Sequence, residues 1–342
     1  MKILIIYTGG TIGMIENPET GALESFSFEH LQSHVPELKR FDFDIDIHTF
    51  EKPVDSSDMA PKDWEELGKI IKSNYEKYDG FVVLHGTDTM VFTASALSFL
   101  LPNLTKPVIF TGSQLPIGQL RTDGKENLLT ALEIAAARDE NGEARIQEVA
   151  IFFENKLMRG NRTTKISAEG FNAFRSHNFH PLATAGVHIE YKVKNNKEKI
   201  KNGGKEVNGD FHFCPDIVVL TLFPGIPEST FEVLAGIPTL RGIILRTFGS
   251  GNAPTAVWLL KKLKKLTEKG IIIVNITQCD QGSVEMGRYQ TSRQLLEAGV
   301  VSGYDSTWEC MLTKLMFLLG QNLSREEIVE MLNTSLAGEI TV

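Results

Sequence analysis

Short continuous apolar runs alternate along this chain with longer runs whose apolar positions recur every three or four residues. Residues 2–7 (KILIIY), 81–84 (FVVL), 107–110 (PVIF) and 149–153 (VAIFF) are of the first kind, rich in β-branched or aromatic side chains. Runs without polar alternation read as strands covered on both faces, hence as parallel strands between layers of helix. Residues 61–74 are of the second kind, with Trp64, Leu67, Ile70 and Ile71 on one stripe of a helix. Residues 124–138 (GKENLLTALEIAAAR) are strong helix formers. Residues 43–50 alternate apolar and polar side chains. The grammar of strand, loop, helix and strand predicts an α/β fold with a doubly wound, largely parallel sheet flanked by helices.

The stretch 192–210 (KVKNNKEKIKNGGKEVNGD) is polar and rich in lysine. It reads as a solvated hairpin or linker, with a binding role for its lysines as the alternative. The same grammar then restarts: 217–222 (IVVLTL), 242–245 (GIIL) and 271–276 (IIIVNI) read as strands, and 255–267 (TAVWLLKKLKKLT) as a helix. Ser324, with Glu327 three residues on, forms a capping box for a last helix. The expectation is a larger N-terminal catalytic domain at 1–191, a linker at 192–213 and a second α/β domain at 214–342. A length of 342 residues suits two cores better than one.

Composition narrows the function classes. The 35 basic and 43 acidic side chains leave a formal charge of −8, poorly suited to a phosphate backbone, so no nucleic-acid partner is expected. The opening apolar run stops after six residues at Thr8, too short for a signal peptide. No run approaches the roughly 18 residues of a bilayer span, so no membrane association is expected. Three widely spaced cysteines argue against a disulfide scaffold and for a reducing compartment, hence a cytoplasmic location.

The polar chemistry collects after the apolar runs, where loops of a parallel sheet share one edge. The clusters are TGGTIG at 8–13, DSSD at 55–58, HGTDT at 85–89, TGSQ at 111–114 and RGNRTTK at 159–165. TGGTIG lacks the third glycine of a dinucleotide fingerprint and the Gly-Lys-Ser/Thr of a phosphate loop. His85 reads as a packed core histidine, since no second ligand stands at metal spacing. Asp88 and Thr89 have a structural alternative as caps of a helix starting near Met90.

Together the segments resemble a known family. TGGTIG at 8–13, HGTDTM at 85–90, TGSQLP at 111–116 and RGNRTTK at 159–165 are similar to motifs of bacterial L-asparaginases. VDSSDM at 54–59 and LRTFGSGNAP at 245–254 resemble the cytoplasmic type I branch. The resemblance runs from Lys2 to about Gly338. It implies a two-domain α/β fold, a homotetramer built as a dimer of dimers, L-asparagine as substrate, and no metal or organic cofactor. It also implies that Thr11 is the nucleophile, that Thr87, Asp88 and Lys165 form a hydroxyl–acid–lysine group, and that Asp55, Ser56 and Ser57, with Thr87 and Asp88, hold the substrate.

The implied chemistry is hydrolysis of the side-chain amide through an aspartyl ester. A threonine hydroxyl needs a base as it attacks. Burial favours neutral lysine and a neighbouring carboxylate favours ammonium, so Lys165 and Asp88 are treated as a coupled pair. Spacing leaves open which threonine attacks first. The loop 14–26 (MIENPETGALESF) reads as a mobile lid, but it lacks the tyrosine many relatives place there. Leu23 or Phe26 could exclude water instead, or the tyrosine hydroxyl could be dispensable.

The resemblance further suggests a second asparagine site at Arg246, Thr277 and Cys279, acting as an allosteric effector site. The structural alternative is Arg246 paired with a carboxylate at the subunit contact and Cys279 packed in the core. Two rival functions share parts of the pattern: an amidase subunit acting on misacylated tRNA, and a non-catalytic nucleotide-binding module. The first predicts a basic face and an added RNA-binding domain. The second predicts a helix entering directly from the glycine loop and an acidic ribose partner.

Overall fold

The structure is a computed structural model that describes residues 1–13, 15–16, 23–24, 28–192, 212–287 and 290–341. The chain divides into two compact units, Met1–Lys199 and Ile200–Val342. Most of the expected linker 192–213 lies outside the described residues. So does most of the expected lid at 14–26, including Phe26 and the side chain of Leu23. Within that segment, Ile15–Glu16 and Leu23–Glu24 pair as short antiparallel strands.

In the first unit the eight strands of the main sheet are β1 (Lys2–Tyr7), β2 (Asp44–Thr49), β3 (Gly80–Leu84), β4 (Val108–Thr111), β5 (Val149–Phe153), β6 (Lys156–Arg159), β7 (Ala183–Ala185) and β8 (Ile189–Tyr191). Their order across the sheet is β8-β7-β6-β5-β4-β3-β1-β2. Strands β1 to β5 are mutually parallel. Strands β6, β7 and β8 join by antiparallel pairing.

The apolar runs form strands for the expected reason. Ile3, Leu4, Ile5 and Ile6 are all buried. Ile3, Ile5 and Tyr7 share a core cluster with Leu128, Ala131 and Leu132 of the helix Gly124–Ala136. Side chains alternate across a strand, so Leu4 and Ile6 face the other side of the sheet. The helix Pro61–Asn74 buries Trp64, Leu67 and Ile71 but leaves Ile70 half-exposed, one member fewer than the predicted stripe. The alternating segment at 43–50 becomes β2, an edge strand whose residues stay exposed or half-exposed.

Strand order decides where a site can form. Chain from β1 crosses to β2 on one side and onward to β3 on the other. The chain therefore leaves the carboxyl ends of β1 and β3 toward opposite sides of the sheet, and this switch point is where a site can form.

The second unit repeats the grammar with four parallel strands in sequential order: β9 (Ile217–Thr221), β10 (Gly242–Thr247), β11 (Ile272–Thr277) and β12 (Val301–Ser302). Ser324 and Glu327 form the expected capping box on the helix Arg325–Leu332. Lys314 and Glu339 make a salt bridge of 2.6 Å with both side chains fully buried. The ammonium also donates to the Thr334 carbonyl, and the carboxylate accepts from Leu336 and Ala337 N–H. A buried pair so satisfied holds the last turn of chain against the helix Trp308–Gly320.

Candidate active site

Glycine governs how the loops meet. Gly9 and Gly10 follow β1 with φ of 131° and 92°. A Cβ on Gly9 would lie 2.1 Å from the Val54 carbonyl oxygen, and one on Gly10 would lie 2.4 Å from Gly86 Cα. Backbones that close admit no side chain. The loops after β1 and β3 and the segment before Asp55 are therefore packed backbone to backbone. Val54 N–H donates to the Thr8 carbonyl, and Thr8 N–H to the Leu84 carbonyl. Thr11 and Thr87 leave the chain one residue beyond the Gly10–Gly86 contact.

Thr11 opens a 3-10 turn, Thr11–Gly13, and is half-buried. Below it lies Tyr7, whose hydroxyl donates to the Gly10 carbonyl. Burial pushes this phenol up to about 12, so it is a neutral donor and no base. A Cβ on Gly13 would lie 2.5 Å from the Tyr7 ring, so the turn rests on that ring.

The loop after β3 is anchored by His85. It is fully buried, its Nδ1 lies 2.7 Å from the Gly86 carbonyl, and its Nε2 lies 2.9 Å from the Thr93 hydroxyl. A carbonyl only accepts, so Nδ1 carries the proton and Thr93 donates to Nε2. Burial pulls the imidazole down to about 4, which keeps it neutral. His85 is thus the packed core residue expected. Among the described residues, no group of three or more His, Cys, Asp and Glu side chains could hold a metal ion.

Thr87 and Asp88 project from this loop to Lys165. The lysine Nζ donates to Thr87 Oγ1 at 2.8 Å and to Asp88 Oδ1 at 2.6 Å. The capping alternative for Thr89 is not what forms. Its side chain makes no cap on the helix Met90–Leu100 and donates instead to the Ser56 carbonyl at 2.6 Å. That bond ties the segment 55–58 to the loop after β3.

In that segment Asp55 caps the 3-10 turn Ser56–Asp58 by accepting from Ser57 N–H and Ser57 Oγ, each at 2.9 Å. These two bonds, the backbone one first, lower the pKa of the Asp55 carboxyl below its ordinary value. Asp55 and Ser57 are exposed, whereas Ser56 is buried under Gly86.

The route to Lys165 differs from the simple strand-then-loop reading. After β5 the chain turns at Glu154, whose φ is +59°, and returns antiparallel as β6. The turn Gly160–Arg162 then packs on the helix Met90–Leu100, where a Cβ on Gly160 would lie 3.0 Å from Ala94 Cβ. Lys165 follows in a short strand paired with Phe174, whose ring packs edge-on against Phe153 of β5 at 4.9 Å. The lysine is therefore carried by an antiparallel hairpin and not by a loop leaving β5.

Sequence reasoning assigned no role to Gln114, Asp123 or Asn127. Gln114 side-chain Oε1 accepts from Thr87 at 3.2 Å, and its backbone N–H donates to Asp123. Asn127 reaches the Gly112 carbonyl at 3.0 Å. A polar side chain in the short loop that follows a buried strand was the available signal for Gln114.

The residues read as an effector site lie in the second unit. Arg246 is on β10 and Thr277 ends β11. Thr277 Oγ1 donates to the Gly249 carbonyl and accepts from Cys279 N–H. The Arg246 guanidinium lies 5.4 Å from the Trp308 ring centroid, and its buried Nε has no hydrogen-bond partner among the described residues. The packed-core alternative for Cys279 fails there, since the residue is exposed, and within the chain no Arg246 ion pair occurs among the described residues.

A parallel sheet with hydroxyls, a carboxylate and a lysine gathered at its carboxyl edge is the framework of an α/β amidohydrolase. The comparisons place it further: the chain belongs to the asparaginase family. Residues 2–198 match the model described as "Asparaginase, N-terminal", and residues 216–332 the "Glutaminase/Asparaginase C-terminal domain". L-asparaginase 1 of Escherichia coli (strain K12) is 44% identical, over 99% of this chain and 98% of that protein. The crystal structure of L-asparaginase I from Vibrio cholerae superposes with a TM-score of 0.86 at 45% identity, covering 100% of this chain and 99% of that one. The thermostable L-asparaginase from Thermococcus kodakarensis gives 0.87 at 32% identity, covering 100% of both chains.

Proposed function

We propose that this protein is an L-asparaginase that hydrolyses the side-chain amide of L-asparagine to L-aspartate and ammonia. The carrying observation is the Lys165–Thr87–Asp88 cluster, whose Thr87 stands one residue beyond the Gly10–Gly86 contact, as Thr11 does on the other loop. Membership of the asparaginase family supports the same substrate. Thr11 Oγ attacks the amide carbon, its proton passes through the Lys165 network to the departing nitrogen, and ammonia leaves an aspartyl ester on Thr11. A water oriented by Thr87 and Lys165 attacks that ester, releasing aspartate and restoring the hydroxyl. Backbone N–H groups of the glycine turns stabilise the oxyanion, at about 3–4 kcal/mol per donor in comparable hydrolases. Asp55, Ser56, Ser57 and Asp88 hold the amino and carboxylate ends of the substrate.

The reading includes a cytoplasmic homotetramer of paired dimers, working without metal or organic cofactor. Among the described residues no helix is long and apolar enough to cross a membrane. It also includes asparagine as an effector at Arg246, Thr277 and Cys279, supported by the unpartnered Arg246 Nε. Ammonia release from L-asparagine, L-glutamine and D-asparagine across a concentration series tests the whole. Release fastest from L-asparagine, with sigmoidal rates, supports it. A folded protein inert toward L-asparagine would overturn it, and hyperbolic rates unchanged by Arg246→Ala would remove the effector site.

A further inference from the structure

We infer that Gln114 is a positioning residue that sets the direction of the Thr87 O–H bond, an inference that rests on the amidohydrolase reading. The Gln114 side chain spans two partners. Its Oε1 lies 3.2 Å from Thr87 Oγ1, and its Nε2 lies 3.1 Å from the Gly170 carbonyl oxygen. A peptide carbonyl accepts and never donates, so Gly170 selects the donating end of the amide. The carbonyl end is then left facing Thr87. That oxygen also only accepts, so Thr87 must be the donor.

A threonine hydroxyl has one proton and two lone pairs. With the proton committed to Gln114, Thr87 meets Lys165 as an acceptor, in keeping with the 2.8 Å contact. Donation therefore runs one way: Lys165 to Thr87, Thr87 to Gln114, Gln114 to Gly170. The remaining Thr87 lone pair can take a proton-bearing group of water or substrate. Without Gln114 the hydroxyl proton is free to rotate, and the oxygen loses its defined role.

The surroundings make Gln114 a fixed reference. Its N–H donates to both Asp123 carboxylate oxygens at 3.1 and 3.0 Å, and Leu115 N–H adds a third bond at 3.2 Å. Asn127 donates to Asp123 at 3.3 Å. A Cβ on Gly112 would lie 2.3 Å from the His85 carbonyl, so the loops after β3 and β4 are in contact. Gly170 lies in the segment joining the two strands of the Lys165 hairpin. Gln114 thus links the acceptor hydroxyl to the hairpin that brings the lysine.

The test compares wild type, Gln114→Met and Gln114→Glu in ammonia release from L-asparagine. Gln114→Met keeps the chain length and removes both bonds. Its kcat is expected to fall about 10- to 100-fold with KM within about 3-fold. Gln114→Glu provides the conservative rescue. Its protonated carboxyl can donate to Gly170 and accept from Thr87, whereas its ionised form sets a negative oxygen against that carbonyl. Its kcat relative to Gln114→Met should rise as pH falls from about 8 to about 5. The charged groups facing that carboxyl are Lys165 and Asp88 across Thr87, and Asp123 behind the loop. All are common to the two variants, so the difference isolates position 114. Wild-type kcat in Gln114→Met overturns the inference, as does a rise in KM at unchanged kcat. Should Gln114→Met fail to fold, a Gln114→Glu rate that follows wild type at every pH overturns it. An inactive wild type would instead remove the amidohydrolase reading.

Discussion

Lys165 Nζ donates to Thr87 Oγ1 across 2.8 Å although 78 positions separate the two residues. The same nitrogen reaches Asp88 at 2.6 Å, with the lysine side chain 16% and the aspartate 63% exposed. An ion pair this open adds little to stability, so its conformation is better explained by chemistry than by folding. Lys165→Met should remove nearly all turnover while changing unfolding free energy by less than about 1 kcal/mol. Urea denaturation beside a rate assay measures both, and a stable variant with ordinary rates refutes the assignment.

Thr11→Ala should lower kcat by about a thousandfold or more without loss of fold. The side chain is half-buried and the turn is held by backbone contacts and the Tyr7 ring. Circular dichroism should match wild type. Near-full activity would show that Thr87 or another group attacks first.

Gly10→Ala should cost about 3 kcal/mol, since its φ is 92° and the new Cβ would meet the Gly86 backbone at 2.4 Å. Both partners are main chain, so no side chain can swing away. Activity should fall with stability. An unaltered melting temperature would mean that the two loops are not in contact.

His85 makes stability pH-dependent with a definite sign. Its folded value is about 4 against 6.5 when unfolded, so the unfolded chain binds the proton more readily. Its contribution is complete above the unfolded value and is lost as pH falls from 6.5 toward 4. The loss is about 3 kcal/mol for a shift of this size. Unfolding free energies of wild type minus His85→Asn, measured over that range, should converge by this amount. A constant difference would contradict a buried neutral imidazole.

In the second unit, Lys314→Met should destabilise by about 3–5 kcal/mol because it strands the fully buried Glu339 carboxylate. The double variant with Glu339→Leu should recover part of that loss. Additive losses in the double-mutant cycle would show that the pair is uncoupled.

Much of the framework was legible along the chain. Buried strands such as β1 and β5 announce themselves as apolar runs, because both faces must leave water. The Ser324 cap was legible because a cap is a local bond between neighbours in sequence. Thr89 defeated the same logic: a distant carbonyl, that of Ser56, took its hydroxyl. The core-packing alternative for Cys279 failed as well, because the residue lies beyond the end of β11 and is exposed.

The sequence by itself determined which segments become buried strands and helices, and which polar residues follow them. Those choices depend on periodicity and on neighbours a few positions apart. Tertiary structure alone decided that Gly10 lies against Gly86, that an antiparallel hairpin carries Lys165 to Thr87, and that Gln114 takes the Thr87 proton. Such relations join groups tens of residues apart. Their geometry comes from strand order and close packing, which no local pattern encodes.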